Sequence, residues 1–148
     1  MRKRLLRTVR GELDERFLVQ ASGDKQLDID ILVRHTHPGT KSNVKVCVIA
    51  SGRAKVKLTA TVVIENSAHR ADARLDIKVV TQGSAIVEAA PNLEIRNHDV
   101  KAGHALTTKH ITGDELFYLT SRGLSLAQAR KLVLNGFIAP FKKGTIIS

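Results

Sequence analysis

The sequence predicts a mainly β fold of short, regularly spaced strands, followed by two helices near the carboxyl terminus. Apolar and polar residues alternate from about Leu27 to Ile95, which is the pattern of half-buried strands. Turn-forming residues interrupt this alternation roughly every 13 to 17 residues, and two helix-capping motifs come after it. Together these observations predict layered strands with a helical hairpin behind them.

Two segments show the alternation most clearly, residues 53–62 and residues 71–79. Successive side chains of a strand point to opposite faces, so each segment has one core face and one wet face. The inward sets are Ala54, Val56, Leu58, Ala60 and Val62 in the first segment, and Ala71, Ala73, Leu75, Ile77 and Val79 in the second. Residues 43–50 and 85–90 are predicted as shorter strands of the same series.

Turn signals separate these strands. They are Pro38-Gly39, Ser51-Gly52, Glu65-Asn66-Ser67, Gln82-Gly83-Ser84 and Arg96-Asn97-His98. Regular spacing with small inward residues suits a stacked β-solenoid, because each rung repeats the cross-section of the rung below it. A β-sandwich also has short strands joined by regular turns. The periodicity therefore leaves both architectures open.

The helical end is predicted from two capping boxes, Thr112 to Glu115 and Ser125 to Gln128. In such a box the first hydroxyl accepts a hydrogen bond from the third helical amide, and the third side chain reaches back. We expect the first helix to stop at Gly123 and the second at Asn135-Gly136. Residues 113–139 are thus predicted as a helical hairpin, and residues 140–148 as a weakly ordered tail.

Composition narrows the class of protein. The chain has 148 residues, 43% of them hydrophobic and only 3% aromatic, so the core must be built from Val, Ile, Leu and Ala. Cys47 is the single cysteine, which excludes a disulfide framework and favours a reducing compartment. Arg7 and Arg10 interrupt the basic start before an apolar signal-peptide region can form, and no apolar run is long enough to span a membrane. We expect a cytoplasmic protein.

The formal net charge of +10 suggests an acidic partner or a polyanion. Arg53, Lys55 and Lys57 form a one-sided basic stripe, and we expect Lys45 beside it on the next rung. The scarcity of aromatic residues leaves few platforms for stacking bases, which makes nucleic acid an unlikely partner. The sequence has no nucleophile elbow, phosphate-binding loop, zinc-protease motif or dinucleotide fingerprint. It therefore predicts a protein that is not an enzyme.

Several ordered motifs resemble a known family. They are Ala90-Pro-Asn-Leu-Glu-Ile95, Asp99-Val-Lys-Ala-Gly-His104, Glu115-Leu-Phe-Tyr-Leu-Thr-Ser-Arg-Gly123, Ala129 and Gly136-Phe137, with His35, Pro38, Thr40 and Ser42 upstream. This pattern resembles the core domain of the SufB/SufD family, the scaffold subunits of the SUF machinery for iron–sulfur cluster assembly. Residues 1–28 carry no such motif and are expected to be an N-terminal segment that could cap the first rung.

The resemblance implies a right-handed parallel β-helix over residues 29–112, ended by the helical hairpin. It also implies that the hairpin docks SufC, an ABC-type ATPase, and that the β-helix associates with a SufB-like subunit or a second copy of itself. The residues that would face the ATPase are Phe117, Tyr118, Arg122, Gly123, Leu126 and Arg130. An iron–sulfur cluster would be bound only transiently, near the junction of two β-helices.

The departures from the family pattern imply a short, SufD-like member. Ala105 stands where SufB-type subunits carry a glutamate, and by the same resemblance Ala71 stands at the position of their sulfur-accepting cysteine. His104 matches the SufD-type histidine associated with cluster assembly. We expect it in a loop before the first helix, where an imidazole is free to bind iron.

Further residues elsewhere in the chain are candidates for a cluster or metal site. His35 and His37 alternate with Thr36, so an extended strand would place both imidazoles on one face, and His69 or Glu94 would have to supply a third ligand. Cys47 has a basic neighbour that could activate its thiol, although a free cysteine in a β-rich chain is more often a small buried hydrophobe.

Two functions follow from the sequence. The first is a non-catalytic, SufD-like scaffold that docks an ABC-type ATPase. The alternative is a stand-alone β-solenoid binding module whose basic face contacts nucleic acid or another polyanion. For a β-helix this short, we also expect self-association or a tight complex, because an uncovered end rung would expose apolar surface.

Overall fold

The computed structural model describes residues 1–148, which form nine strands, two α-helices and one 3₁₀ turn. The strands are β1 (Arg2–Val9), β2 (Glu12–Ala21), β3 (Gln26–His35), β4 (Lys41–Ala50), β5 (Lys55–Ile64), β6 (Asp72–Thr81), β7 (Ile86–Ile95), β8 (Lys101–His110) and β9 (Thr145–Ile147). The helices are α1 (Gly113–Thr120) and α2 (Leu126–Ile138), and the 3₁₀ turn is Ala139–Phe141.

The strands form two parallel sheets. Sheet A has the order β1-β3-β5-β7, and sheet B has the order β8-β6-β4-β2-β9. The chain alternates between the sheets, so β1 with β2, β3 with β4, β5 with β6, and β7 with β8 each make one rung of a solenoid. Of the two architectures that the periodicity left open, the parallel β-helix is confirmed, together with the helical pair after it.

The main core lies between the two sheets. The inward sets predicted for residues 53–62 and 71–79 are all buried there. Parallel register places each inward residue directly above its counterpart, as with Ile29 and Leu58 in sheet A. Burial of one Val, Leu or Ile side chain contributes about 1.5–3 kcal/mol, so these columns supply most of the stabilisation of the stack.

A second core lies on the outer face of sheet B, beneath the helices. Leu18, Cys47, Ile49 and Val80 point outward from β2, β4 and β6. They pack against residues that the helical end supplies, namely Ile111, Leu116, Ala129 and Phe141. The hairpin is therefore fastened across three rungs of sheet B by apolar contact.

The exposed faces of the sheets carry ladders of alternating charge. On sheet A, consecutive strands align Arg2, Asp28, Lys57 and Glu88. On sheet B, they align Glu12, Lys41, Asp72 and Lys101. Opposite charges on neighbouring strands favour the observed register, because a slip of one residue would misalign each ladder and turn inward side chains outward.

The predicted boundaries are wrong at both ends of the solenoid. Residues 1–28 are not a separate segment, because β1 and β2 form the first complete rung. The inward face of β1 includes Lys3 and Arg7, and these charges hid the strand pattern. At the other end, residues 140–148 are not a loose tail, because β9 pairs with β2.

The helices also end at other residues than predicted. The first stops at Thr120, before Gly123, which lies in the following turn with φ of 98°. The second continues through Gly136 to Ile138, because Gly136 only weakens a helix and the apolar face runs beyond it. Both capping boxes are present as predicted.

Gly52 occupies a turn position that other residues fit poorly. The glycines of three successive turns, Gly23, Gly52 and Gly83, all have positive φ and lie one above another. A Cβ built on Gly52 would lie 3.0 Å from the backbone nitrogen of Gly23. Left-handed backbone and close rung contact both favour glycine here.

Replacement of Gly52 by Ala should destabilise the fold by about 1–2 kcal/mol, the usual left-handed penalty, with rung contact adding to it. Urea unfolding followed by circular dichroism measures this free energy. Gly113→Ala is the matched control, because Gly113 has open space around it and ordinary helical geometry. Equal stability of the two variants would show that the stacked turns tolerate a side chain.

Candidate functional site

His104 lies near the middle of β8, so the prediction of a loop position is wrong. Its register partner on β6 is Leu75, whose side chain points into the core. His104 therefore also points toward the inside of the solenoid, but no further rung covers it and it is exposed. The strand holds the imidazole at the open end of the stack.

The end face around His104 is apolar. We define the end face as the inward-pointing side chains of the last rung, β7 and β8, which no further rung covers. Its apolar members are Val87, Ala89, Leu93, Ile95, Ala102 and Leu106. Ile95 is 47% exposed and Leu106 is 46% exposed, whereas their counterparts Ile64 and Ile77 one rung away are buried. An apolar surface with free strand edges is a typical site of association.

His35 is fully buried at the corner between β3 and β4. Its Nδ1 lies 2.8 Å from Thr40 Oγ1, and its Nε2 lies 2.7 Å from Ser42 Oγ. The Thr40 hydroxyl donates to the His37 carbonyl at 2.9 Å, so its oxygen accepts the bond from Nδ1–H. In the neutral imidazole Nε2 is then the acceptor, and the Ser42 hydroxyl donates to it.

This network holds the imidazole neutral. Burial lowers the pKa of His35 below its usual 6.5, and the charge of Asp72 opposes this only in part. Both ring nitrogens have partners within the chain, which leaves neither open to a metal. The network gives a structural reason for the spacing of His35, Thr40 and Ser42 in the sequence.

The other predicted ligands do not join His35. The chain leaves the strand after His35, so His37 is exposed in the turn and pairs with the Thr36 hydroxyl at 2.7 Å. The prediction that both imidazoles share one face is therefore wrong. The Nδ1 of His69 lies 2.9 Å from the Asn97 side-chain nitrogen.

Cys47 and Glu94 lie on different sheets. Burial beneath the hairpin raises the pKa of the Cys47 thiol to about 11, against the smaller effect of Lys78. Glu94 is exposed on β7, with a carboxylate oxygen 3.7 Å from an Arg96 nitrogen. No group of three or more His, Cys, Asp or Glu side chains is placed to hold a metal ion.

The predicted docking residues of the hairpin are all exposed. Phe117 is 71% exposed and Tyr118 is 57% exposed, which is unusual for large aromatic side chains. The Arg122 guanidinium lies 4.9 Å from the centre of the Tyr118 ring, a distance typical of cation–π contact. Gly123, Leu126 and Arg130 are exposed as well. We call these six residues the hairpin surface.

A contact between the last rung and the hairpin was not predicted from the sequence. The Lys109 ammonium on β8 donates to one carboxylate oxygen of Glu115, while the other oxygen accepts from the Thr112 amide at 3.1 Å. The Lys109 hydrogen bond is the main reason that the pKa of Glu115 is lowered. The capping box predicted the Glu115 side chain at the helix start, but only the fold brings Lys109 to it.

The basic residues that were predicted to share one face lie on two different sheets. Lys45 lies on β4 in sheet B, whereas Lys55 and Lys57 lie on β5 in sheet A, so the expected position of Lys45 is wrong. Lys57 stands between Asp28 and Glu88 in its ladder, and Arg53 lies 2.8 Å from Asp24. Neighbouring carboxylates therefore offset the positive charge of the stripe.

The fold defines this chain as a short parallel β-solenoid protein with a carboxyl-terminal helical pair packed on one sheet. Neither helix has the length and apolar character needed to cross a bilayer. Residues 6–137 match the family model described as the SufBD core domain of the SUF system for FeS cluster assembly. The chain belongs to the SufBD family.

Curated relatives agree with this assignment. An iron–sulfur cluster assembly SufBD family protein of Mycobacterium bovis is 35% identical over 136 residues, which are 86% of this chain and 34% of that protein. An iron–sulfur cluster assembly SufBD family protein of Mycobacterium leprae is 33% identical over 147 residues, which are 93% of this chain and 36% of that protein. A Mycobacterium tuberculosis member is 31% identical over 125 residues, or 83% and 15%. The chain thus spans about a third or less of these relatives.

The His35 network predicts a pH-dependent contribution to stability. At neutral pH, His35→Gln should lower the free energy of unfolding by about 1–3 kcal/mol, because buried hydroxyls lose their partner. The folded-state pKa is lowered, so the unfolded chain binds the proton first as pH falls below about 6.5. The contribution is therefore complete above that pH and declines below it.

Urea unfolding at pH 7.5 and pH 5.5 measures this effect. The stability gap between the wild type and His35→Gln should be smaller at the lower pH. His37→Gln is the matched control, because His37 is exposed. A gap that stays constant with pH would contradict the buried neutral imidazole.

Proposed function

We propose that this chain is a SufD-like scaffold of iron–sulfur cluster assembly that catalyses no reaction of its own. It joins a second SufBD subunit through the end face and docks an ABC-type ATPase through the hairpin surface. The proposal rests on one observation: a chain of this family presents both exposed surfaces and holds His104 on the inward side of the last, uncovered rung.

The end face supports association with a second solenoid. Its partly exposed aliphatic side chains gain from burial, and the free edges of β7 and β8 offer unpaired backbone donors and acceptors. The partner is a SufB-like subunit or a second copy of this chain. Either would bring a matching rung against His104.

The cluster is the cargo of this junction. His104 supplies one imidazole, which is a suitable ligand for iron in its neutral form. One side chain cannot hold a cluster, so the partner subunit supplies the remaining ligands. The cluster is bound transiently and passed on, in keeping with a scaffold.

The hairpin surface supports docking of the ATPase. Aromatic residues and arginine are enriched at protein interfaces and among the residues that contribute most of the binding free energy. The Phe117 side chain is 71% exposed in this chain, so a pocket on the partner could bury most of its surface. The hairpin itself is anchored on sheet B through Leu116 and Ala129.

The contact between β8 and α1 suggests how ATP hydrolysis acts on the junction. Dimerisation of the ATPase would displace the docked hairpin, and α1 is tied to β8 by Lys109 and Glu115 as well as by the buried Ile111. A shift of α1 would move β8, which carries His104. The end face would then open or close around the cluster.

Truncation of Phe117 tests the docking surface. Phe117→Ala should weaken binding of the ABC-type ATPase from the same source by about 2 kcal/mol, or roughly 30-fold in Kd. Anaerobic isothermal titration and light scattering measure the complex. Leu6→Ala is the control, because Leu6 is 57% exposed on the opposite sheet. Unchanged binding by Phe117→Ala, or no binding by the wild type, would refute the docking.

Replacement of His104 tests the cluster junction. His104→Ala should lower the iron and acid-labile sulfide recovered with the complex of this chain, its SufBD partner and the ATPase. His98→Ala is the control, since His98 is exposed in the turn between β7 and β8. Equal iron content in both variants, with the complex intact, would show that His104 is not a ligand of the cluster.

A further inference from the structure

The edge of sheet B next to the first rung is occupied by the chain's own β9. This strand runs parallel to β2, with Phe17 opposite Thr145, Leu18 opposite Ile146 and Val19 opposite Ile147. Ile147 is only 3% exposed and belongs to the main core, whereas its neighbour Ile146 is 58% exposed. The Ile147 side chain thus continues the inward column of β2.

Polar contacts fasten β9 in this position. The Thr145 hydroxyl donates to Glu15 Oε1 at 3.4 Å, and the same carboxylate takes two hydrogen bonds from Arg7 at 2.7 and 2.8 Å. Arg16 donates to the Pro140 carbonyl at 2.6 Å. A Cβ on Gly144 would strike the Arg16 carbonyl, so this close approach requires glycine. The contacts place β9 where a strand of a further rung would pair with β2.

The two ends of the solenoid are complementary in charge. If the last rung of one copy stacked on the first rung of another, Glu88 would lie beside Arg2 in sheet A. Lys101 would lie beside Glu12 in sheet B. Both ladders would continue their alternation of sign, and β8 and β2 are both ten residues long. A contact between unlike ends does not close on itself, so it leads to an open filament.

We propose that β9 is an edge cap that prevents this head-to-tail stacking on a second copy of the chain. With β9 in place, β8 of another copy cannot pair with β2, and Ile147 fills the inward position that its strand would take. Growth of the stack is blocked at the first rung. Association is then limited to the end face, where a single partner closes the contact. This inference goes beyond the proposed function and does not depend on a cluster or an ATPase.

Removal of the cap tests the proposal on the full chain. Ile147→Asp places a charge in the core position and should release β9 from β2. Sedimentation velocity from micromolar to submillimolar protein should then show species that grow with concentration beyond the size of the wild type. Ile146→Asp is the matched control, with the same change one residue away on an exposed position, and should sediment like the wild type.

The chemistry of the new contact gives a second readout. Assembly through the charge ladders should weaken as salt is added, whereas non-specific apolar aggregation strengthens with excluded salts such as sulfate. Lys101→Glu in the Ile147→Asp background should reduce assembly, because like charges would meet at the junction. Assembly that grows with salt and ignores Lys101→Glu would overturn the head-to-tail geometry.

A truncated chain distinguishes loss of the cap from a folding defect caused by the buried charge. Removal of residues 145–148 deletes the cap without placing a charge in the core, and circular dichroism reports whether the solenoid persists. Concentration-dependent assembly of either folded variant supports the cap. Folded variants that keep the wild-type size would overturn it. Loss of folding in both variants would also overturn it, because the solenoid would then require β9 in order to fold.

Discussion

The structure depends on one constraint: parallel strands of equal length stacked in strict register. Each rung supplies the hydrogen-bonding edge for the next and places its inward side chain on the same column. Small aliphatic residues satisfy this constraint because they repeat without the bulk of aromatic rings. The same constraint leaves any terminal rung with unpaired edges and a half-covered core. The end face, which we propose as the surface for a second subunit, lies where the repeat stops.

The sequence predicted the repeat well because its signal is local. Val56, Leu58 and Ala60 alternate with polar residues whatever lies beside them, and both capping boxes are confined to four residues. The prediction from sequence failed where burial depends on neighbours that are distant in sequence. The inward Arg7 of β1 is tolerated because Glu15 pairs with it, and β9 is ordered because β2 accepts it. No local pattern contains either fact.

In the candidate site, too, local features were predictable from the sequence and contacts between distant residues were not. The exposed hairpin residues could be named from their resemblance to a family, and His104 with them, but its place on an uncovered strand follows only from the register with Leu75. Extended geometry wrongly united His35 with His37, since the corner turns between them. His35 is instead a structural residue whose hydrogen bonds close the corner, while Lys109 joins the end of β8 to α1.

The end face and the hairpin surface are proposed to receive different partners. Hydrogen–deuterium exchange on the full chain, alone and with each partner, maps both at once. The ABC-type ATPase should slow exchange in residues 113–139, and a second SufBD subunit should slow exchange in residues 86–110. Protection of the same segment by both partners, or protection of neither segment, would show that the two surfaces do not bind separate partners.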